Sequence, residues 1–259
     1  MAEIALQDAA VEADSVEEAG GSALLWQSAS QTDVGRVRPV NEDAFLDSQE
    51  QRLWVVADGM GGHSRGDYAS GAIVRHLRDF PRQPSVLGNL QDLEARLQAA
   101  NDQCRNAFRN KNPGSTVVVM LTHGNYCFYL WAGDSRIYRL RNGALEQLTT
   151  DHTLARQKLA HGQLSEEEVE TDRSAHVLTR AVGIRETLDL DLGYAQILPG
   201  DRYLLCSDGF YNDMALTEID SGLRQGSPEE ACSDLVDRAL AAGGRDNITL
   251  IVVDALGQA

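Results

Sequence analysis

The stretch VVADGMGGHSRGD, residues 55–67, decides how the rest of the chain is read. An apolar run from Leu53 to Ala57 stops abruptly at Asp58. A run of that kind reads as a strand buried on both faces. A carboxylate at its end is costly unless something offsets the charge. The glycines that follow, Gly59, Gly61 and Gly62, permit a tight turn with φ > 0 and let other groups approach the backbone. Ser64 with Asp67 then gives a capping-box signature, and Ala69, Ile73, Leu77 and Phe80 recur at helical spacing.

Other strand signals surround this one. Leu24 to Ser30 and Ala44 to Asp47 are short and bounded by turn residues, and TVVVMLT (116–122) is apolar on both faces. Residues 125–133 and 135–143 read as adjacent antiparallel strands joined by a tight turn, and residues 188–197, 202–206 and 248–254 complete the set. Leu90, Leu93, Leu97, Cys104 and Phe108 line one face of a second helix, and SPEEACSDLVDRALAA (227–242) opens a third with Ser-Pro and acids. Antiparallel strands with helices in blocks predict an α+β layered architecture. Residues 151–176 are polar and partly helical, and read as a surface excursion or flap. Residues 1–22 carry six acids among alanines and end in Gly20-Gly21, the pattern of an acidic, flexible N-terminal tail.

The chain has 259 residues, is 42% hydrophobic and carries a formal net charge of −16, which fits one large globular domain. So acidic a chain is not drawn to nucleic acid or to an anionic membrane surface. Cys104, Cys127, Cys206 and Cys232 are widely spaced with no C-x-x-C pair, and read as buried thiols of a reducing compartment. The first basic residue is Arg36, and no apolar run approaches membrane-spanning length. The cytoplasm is therefore the expected location, with no membrane insertion.

Five carboxylates occupy places where charge is costly. Asp58 ends an apolar strand, Asp208 follows YLLCS, and Asp134 sits between two β-rich runs. Asp246 enters a further strand, and Asp43 begins one. Gathered at one edge of a sheet sandwich they would repel and take up protons. Hard divalent cations remove that difficulty, because Mg²⁺ and Mn²⁺ prefer oxygen ligands and keep waters. Asp58 would bridge two ions, with the Gly59 carbonyl in reach.

The order of these motifs is specific. TDVGRVRPVNEDAF (32–45), VVADGMGGH (55–63), GST (114–116), WAGDSRIY (131–138), LTRAVG (178–183), LLCSDGFYN (204–212) and GGRDNITLIVV (243–253) resemble the bacterial branch of the metal-dependent protein phosphatases, the PPM or protein phosphatase 2C-like family. The resemblance runs from about residue 24 to 254, so residues 23–259 are expected to form one catalytic domain. It implies a four-layer α/β/β/α sandwich, two central antiparallel sheets flanked by helices, with Mn²⁺ or Mg²⁺ at one end. It also implies hydrolysis of phosphoserine and phosphothreonine by metal-activated water. Carried over, Asp58 resembles the bridging carboxylate, Gly59 a carbonyl ligand, Asp208 and Asp246 ligands of the second ion, and Asp43 a holder of bound water. Asp134, with Asp208, resembles the ligand of a weaker third ion, and Arg38 the arginine that holds the substrate phosphate. Where eukaryotic members place a histidine as general acid, this chain has Met60. His63 and metal-bound water are the candidates for that role. His76, His123 and His176 read as structural or exposed, and His152 and His161 fall in the excursion. No cysteine or serine reads as a nucleophile.

The resemblance further implies, as partners, phosphorylated proteins, a eukaryotic-like Ser/Thr kinase, forkhead-associated proteins and a link to type VI secretion, for a monomeric enzyme. A small-molecule phosphoesterase and a silent regulatory module on the same fold are the alternatives.

Overall fold

The computed structural model of the chain describes residues 2–18, 24–61, 65–108 and 113–257. One antiparallel sheet has the order β1 (Leu24–Asp33), β11 (Ile248–Gly257), β10 (Arg202–Cys206), β7 (Arg136–Arg141) and β8 (Ala144–Gln147). The other runs β2 (Asp43–Ser48), β3 (Leu53–Met60), β5 (Val117–His123), β6 (Tyr126–Ala132) and β9 (Asp191–Gln196), and the short β4 (Gly114–Ser115) pairs with the end of β3.

The period of two along each strand builds the layers. Leu53, Val55 and Ala57 of β3, with Val117, Val119 and Leu121 of β5, face α2 (Gly66–Arg78) and α3 (Val86–Ala107). Trp54, Val56, Val118 and Met120 face the other way, and meet Trp26, Tyr203, Leu205, Ile251 and Val253 between the sheets. The outer face of the first sheet, with Leu204, Cys206, Leu250 and Val252, packs on α6 (Asp208–Tyr211), α7 (Leu216–Leu223) and α8 (Pro228–Ala242). The result is the expected order of helices, sheet, sheet, helices. Ser227 caps α8 with Pro228 in its first turn, as its sequence predicts. Ser64 and Gly62 lie outside the described residues. The first amide of α2, Gly66 N, donates to Glu42 Oε1 at 3.2 Å.

Two expectations are corrected. Strands β6 and β7 are not neighbours. β6 pairs with β5 and β9, whereas β7 pairs with β10 and β8, in the other sheet. Residues 133–135 carry the chain across the sandwich, with Gly133 at φ +114 making the turn. Each strand is flanked on both sides already, so neither has an edge left for the other.

The N-terminal segment is also not a solvated tail. Residues Ala2–Glu18 form α1, and Ala9, Ala10 and Ala13 are buried. Its acids find partners on the body of the protein. Asp14 accepts from Val86 N at 2.7 Å, completing the start of α3, and lies 3.1 Å from His123 Nε2. Glu17 accepts from Gly124 N at 3.0 Å and from Arg82 at 3.2 Å, with Arg52 at 3.4 Å. Partial burial pushes the Glu17 carboxyl up, but the Gly124 amide and the two guanidinium groups outweigh it and hold the group below its usual range. Gly124 has φ +56, and a Cβ there would stand 2.4 Å from Ala13 O, so this glycine admits the helix.

The excursion at residues 151–176 holds α4 (Leu154–Ala160) and α5 (Glu166–Val169). A bridge between Thr153 and Leu178 closes its base.

Candidate active site

Strand register brings the first two carboxylates together. Asp43 stands directly opposite Asp58 in the β2–β3 pair. Like charges so placed destabilise a sheet. Asp58 also shares the parity of Trp54 and Val56, so its side chain projects between the two sheets at their open end. The other sheet contributes the rest. β10 ends at Cys206, Ser207 turns the chain, and Asp208 opens α6. Ser207 Oγ donates to Asp43 Oδ2 at 2.8 Å, a tie between the sheets. Asp134 sits on the crossover from β6 to β7, and Tyr211 Oη donates to its carbonyl at 2.8 Å. Asp246 lies just before β11 and accepts from Arg38 Nη2 at 2.6 Å.

The surroundings hold these groups in place. Asp58 N donates to Thr116 Oγ1 at 3.1 Å, and Thr116 Oγ1 lies 2.7 Å from Ser135 Oγ. Asn247 is buried and joins three segments. Its Oδ1 accepts from Glu42 N at 2.8 Å, and its Nδ2 donates to Val34 O at 2.9 Å and Val40 O at 3.0 Å. The loop bearing Arg38 is thereby fixed against the residue next to Asp246. Gly59 is pinned as well: a Cβ on it would stand 2.2 Å from Gly66 O and 2.4 Å from Glu42 O.

Burial sets the electrostatics. It pushes the Asp43 carboxyl up to about 7, with Asp208 and Asp246 adding to the shift. Burial, then Asp43, Asp208 and Asp134, push Asp58 well above the usual range. Burial and Asp208 push Asp134 up to about 8. Asp208 is raised by burial and by the charge of Asp246, with the neighbouring Asp58 carboxyl opposing the shift. Asp43 Oδ1 is buried with no hydrogen-bond partner. Asp58, Asp134, Asp208 and Asp246 line a cavity of about 460 Å³ together with Arg38, Gly59 and Met60. A neighbouring cavity of about 700 Å³ shares Asp134, His176 and Asp246 with it. Among the described residues, no three acidic, histidine or cysteine side chains are grouped tightly enough to hold an ion as they stand. The carboxylates ring the cavity instead. An ion that keeps most of its waters needs only one or two of them.

The family model for protein phosphatase 2C matches residues 36–227. The chain belongs to the protein phosphatase 2C family. The serine/threonine phosphatase stp of Listeria welshimeri is 33% identical, over 86% of this chain and 93% of its own length. The serine/threonine protein phosphatase PstP of Mycobacterium tuberculosis is 32% identical over 90% of this chain and 46% of its own length. Among solved structures, PppA, described as a key regulatory component of the type VI secretion system in Pseudomonas aeruginosa, superposes with a TM-score of 0.82 at 41% identity, covering 89% of this chain and 98% of that one. The PstP catalytic domain in complex with two manganese ions superposes with a TM-score of 0.79 at 32% identity, covering 90% and 99%.

Six of the residues picked out from the family pattern, Asp43, Asp58, Gly59, Asp134, Asp208 and Asp246, therefore meet at one end of the sandwich, with Arg38 beside them. His63 lies outside the described residues. Sequence reasoning passed over Glu42, Thr116, Ser207 and Asn247, which position the carboxylates. The signal for Asn247 was available: an Asn beside Asp246 at a strand entrance suits a side chain that binds loop backbone.

Proposed function

We infer that this protein phosphatase 2C chain is a metal-dependent protein serine/threonine phosphatase that hydrolyses phosphoserine and phosphothreonine. The observation that carries the reading is the set of buried, mutually repelling carboxylates beside Arg38, one of them with an oxygen that lacks any partner. The donor set is all oxygen, which suits Mn²⁺ or Mg²⁺. Asp58 would bridge two ions. The Gly59 carbonyl would serve the first, Asp208 and Asp246 the second, and Asp43 would hold bound water. Asp134 and Asp208 would take a weaker third. When bound, the ions polarise phosphoryl oxygens and lower the pKa of water. Arg38 donates one N–H to Asp246, and its guanidinium has further donors for the phosphate oxygens. The relatives named serine/threonine phosphatases favour protein substrates over small phosphoesters. The intact carboxylate set speaks against a silent module.

The finer reading gives the enzyme a eukaryotic-like Ser/Thr kinase as its opponent and forkhead-associated proteins among its partners. A type VI secretion role is supported by the likeness to PppA alone. The chain acts as a monomer in the cytoplasm in this reading. Four free thiols suit a reducing compartment. Among the described residues no helix is long and apolar enough to cross a membrane.

Hydrolysis of a phosphothreonine peptide, followed with Mn²⁺, with Mg²⁺ and with EDTA, tests the reading. Turnover is expected with metal and absent with EDTA. Folded protein inactive with either ion would overturn it.

The carboxylates also set a pH dependence for the chelated protein. A carboxyl raised in the folded state binds its proton more tightly there than in the unfolded chain. Its stabilising contribution is present below the unfolded value and is lost as pH rises through the folded one. With Asp43 near 7 and Asp134 near 8, chelated protein is expected to melt lower at pH 8 than at pH 5.5. Each such group contributes about 1.4 kcal/mol per pH unit across its window. Mn²⁺ is expected to recover most of the loss at pH 8. Burial lowers His123 and His152 and gives a slope of opposite sign, but only below about 6.5, the ordinary value of histidine. A melting temperature that rises steadily from pH 6.5 to pH 8 in EDTA would contradict the electrostatic account.

A further inference from the structure

Asp134 lies on the crossover between β6 and β7, outside any helix or strand, so other parts of the chain must hold it. On one side the turn is pinned by packing: a Cβ on Gly133 would stand 2.6 Å from Thr116 Cβ. On the other side, residues 150–152, which lead into the excursion, grip the crossover at successive points. Trp131 Nε1 donates to Thr150 O at 2.9 Å. Arg136 donates to Asp151 through Nε at 3.0 Å and Nη2 at 2.7 Å. Between these two ties stands the buried His152, its ring stacked on Trp131 with 5.8 Å between centroids.

His152 takes up both polar backbone groups of Gly133. Its own N–H donates to Gly133 O at 2.9 Å, and Gly133 N donates to His152 Nδ1 at 3.2 Å. The second bond fixes the tautomer. Nδ1 accepts, so it carries no proton, and the N–H of the ring sits on Nε2. Nε2 faces Asp191 Oδ2 on β9 at 3.1 Å, and Asp191 is held in turn by Arg180. The imidazole is thus oriented through both nitrogens, one engaged by the residue before Asp134 and the other by the far sheet edge. The chain after the Asp134 side chain is tied separately, by Tyr211 Oη on its carbonyl and by Ser135 Oγ against Thr116.

We propose that His152 is a positioning residue for the ion site at Asp134. By accepting from the Gly133 amide, it fixes the backbone that precedes Asp134, and with it the direction in which that carboxylate points. A group one step behind a ligand sets ligand geometry, and its loss is felt as lost ion affinity. His152 also stands where the excursion leaves the body of the protein. The carboxylate at the crossover is therefore aimed by the base of the excursion.

The proposal rests on the reading of Asp134 as the ligand of a weaker third ion, and three replacements test it. His152→Asn keeps an acceptor where Nδ1 stands. His152→Gln keeps a donor where Nε2 stands. His152→Phe keeps only the stack on Trp131. Exchange of the Gly133 amide is read by NMR on the metal-free full chain, and Mn²⁺ uptake by calorimetry. With Gln or Phe, the amide is expected to exchange about tenfold faster or more, and the weakest ion to lose about tenfold or more in affinity, while the tighter ions hold within about threefold. The Asn variant should stay close to wild type in both measurements. Equal weakening of every ion would assign His152 a general structural role and overturn the proposal. An unchanged weakest ion in His152→Phe would do the same, as would an Asn variant no better than Phe. A wild type that takes up only two ions would instead overturn the reading of a third ion at Asp134, and the proposal with it.

Discussion

Asp58→Asn is expected to lower turnover of a phosphothreonine peptide about 10³-fold or more at saturating Mn²⁺, the loss of roughly 4 kcal/mol of transition-state stabilisation. The argument is positional. Asp58 projects between the sheets at the end of β3, directly opposite Asp43, and is near enough to Asp43, Asp208 and Asp134 for their charges to act on it. Asn keeps the shape and removes the charge, so the fold should survive. Indeed the chelated variant should melt higher than chelated wild type at pH 8, because burial and three neighbouring aspartates all oppose the Asp58 charge. Lower activity with higher metal-free stability is a pairing that simple misfolding does not produce. Near-normal turnover in Asp58→Asn would remove the bridging role.

Gly59→Ala is the second large effect, and it acts through the backbone. The new methyl would meet Gly66 O at 2.2 Å and Glu42 O at 2.4 Å. Both are main-chain oxygens, one at the start of α2 and one just before β2, so neither can swing away as a side chain would. Overpacking against backbone is expected to cost about 3 kcal/mol, and a fall in melting temperature on the order of 10 °C would follow for a chain of this size. Activity should fall with it, since Asp58 and its partner strand must move apart. A variant that melts with wild type would show that α2 slides freely over the end of β3, and would sink the packing argument.

Much of this was legible because charge was found where burial was written. The run Leu53 to Ala57 fixed a strand, and Asp58 at its end demanded an explanation. The same held for Asp208 after YLLCS and Asp246 before ITLIVV. Burial did the marking, so the site could be located before any geometry. The β6–β7 crossing was not legible. Both runs read as strands and a glycine turn joins them, which is also how a hairpin is written. Only partner choice elsewhere in the sheets separates the two outcomes. Helix α1 was hidden for a different reason. Its buried face is alanine, with little apolar signal, and its acids look solvated until Arg52, Arg82 and the Gly124 amide are placed beside them. The backbone groups that Asn247 binds were hidden likewise, since all three lie more than 200 residues earlier.

The same long separations bear on how the enzyme comes into being. Arg38 and Asp246 are 208 positions apart, and Ser207 reaches back 164 positions to Asp43. Strand β1 finds its ladder partner only in β11. Ordering such distant segments is slow and is not rewarded until both have emerged. A chain still being translated has the Asp43–Asp58 pair in hand but no Asp208 or Asp246 to set against it. Throughout synthesis the nascent polypeptide is thus expected to be catalytically mute, with hydrolytic power arriving only after β11 has left the ribosome.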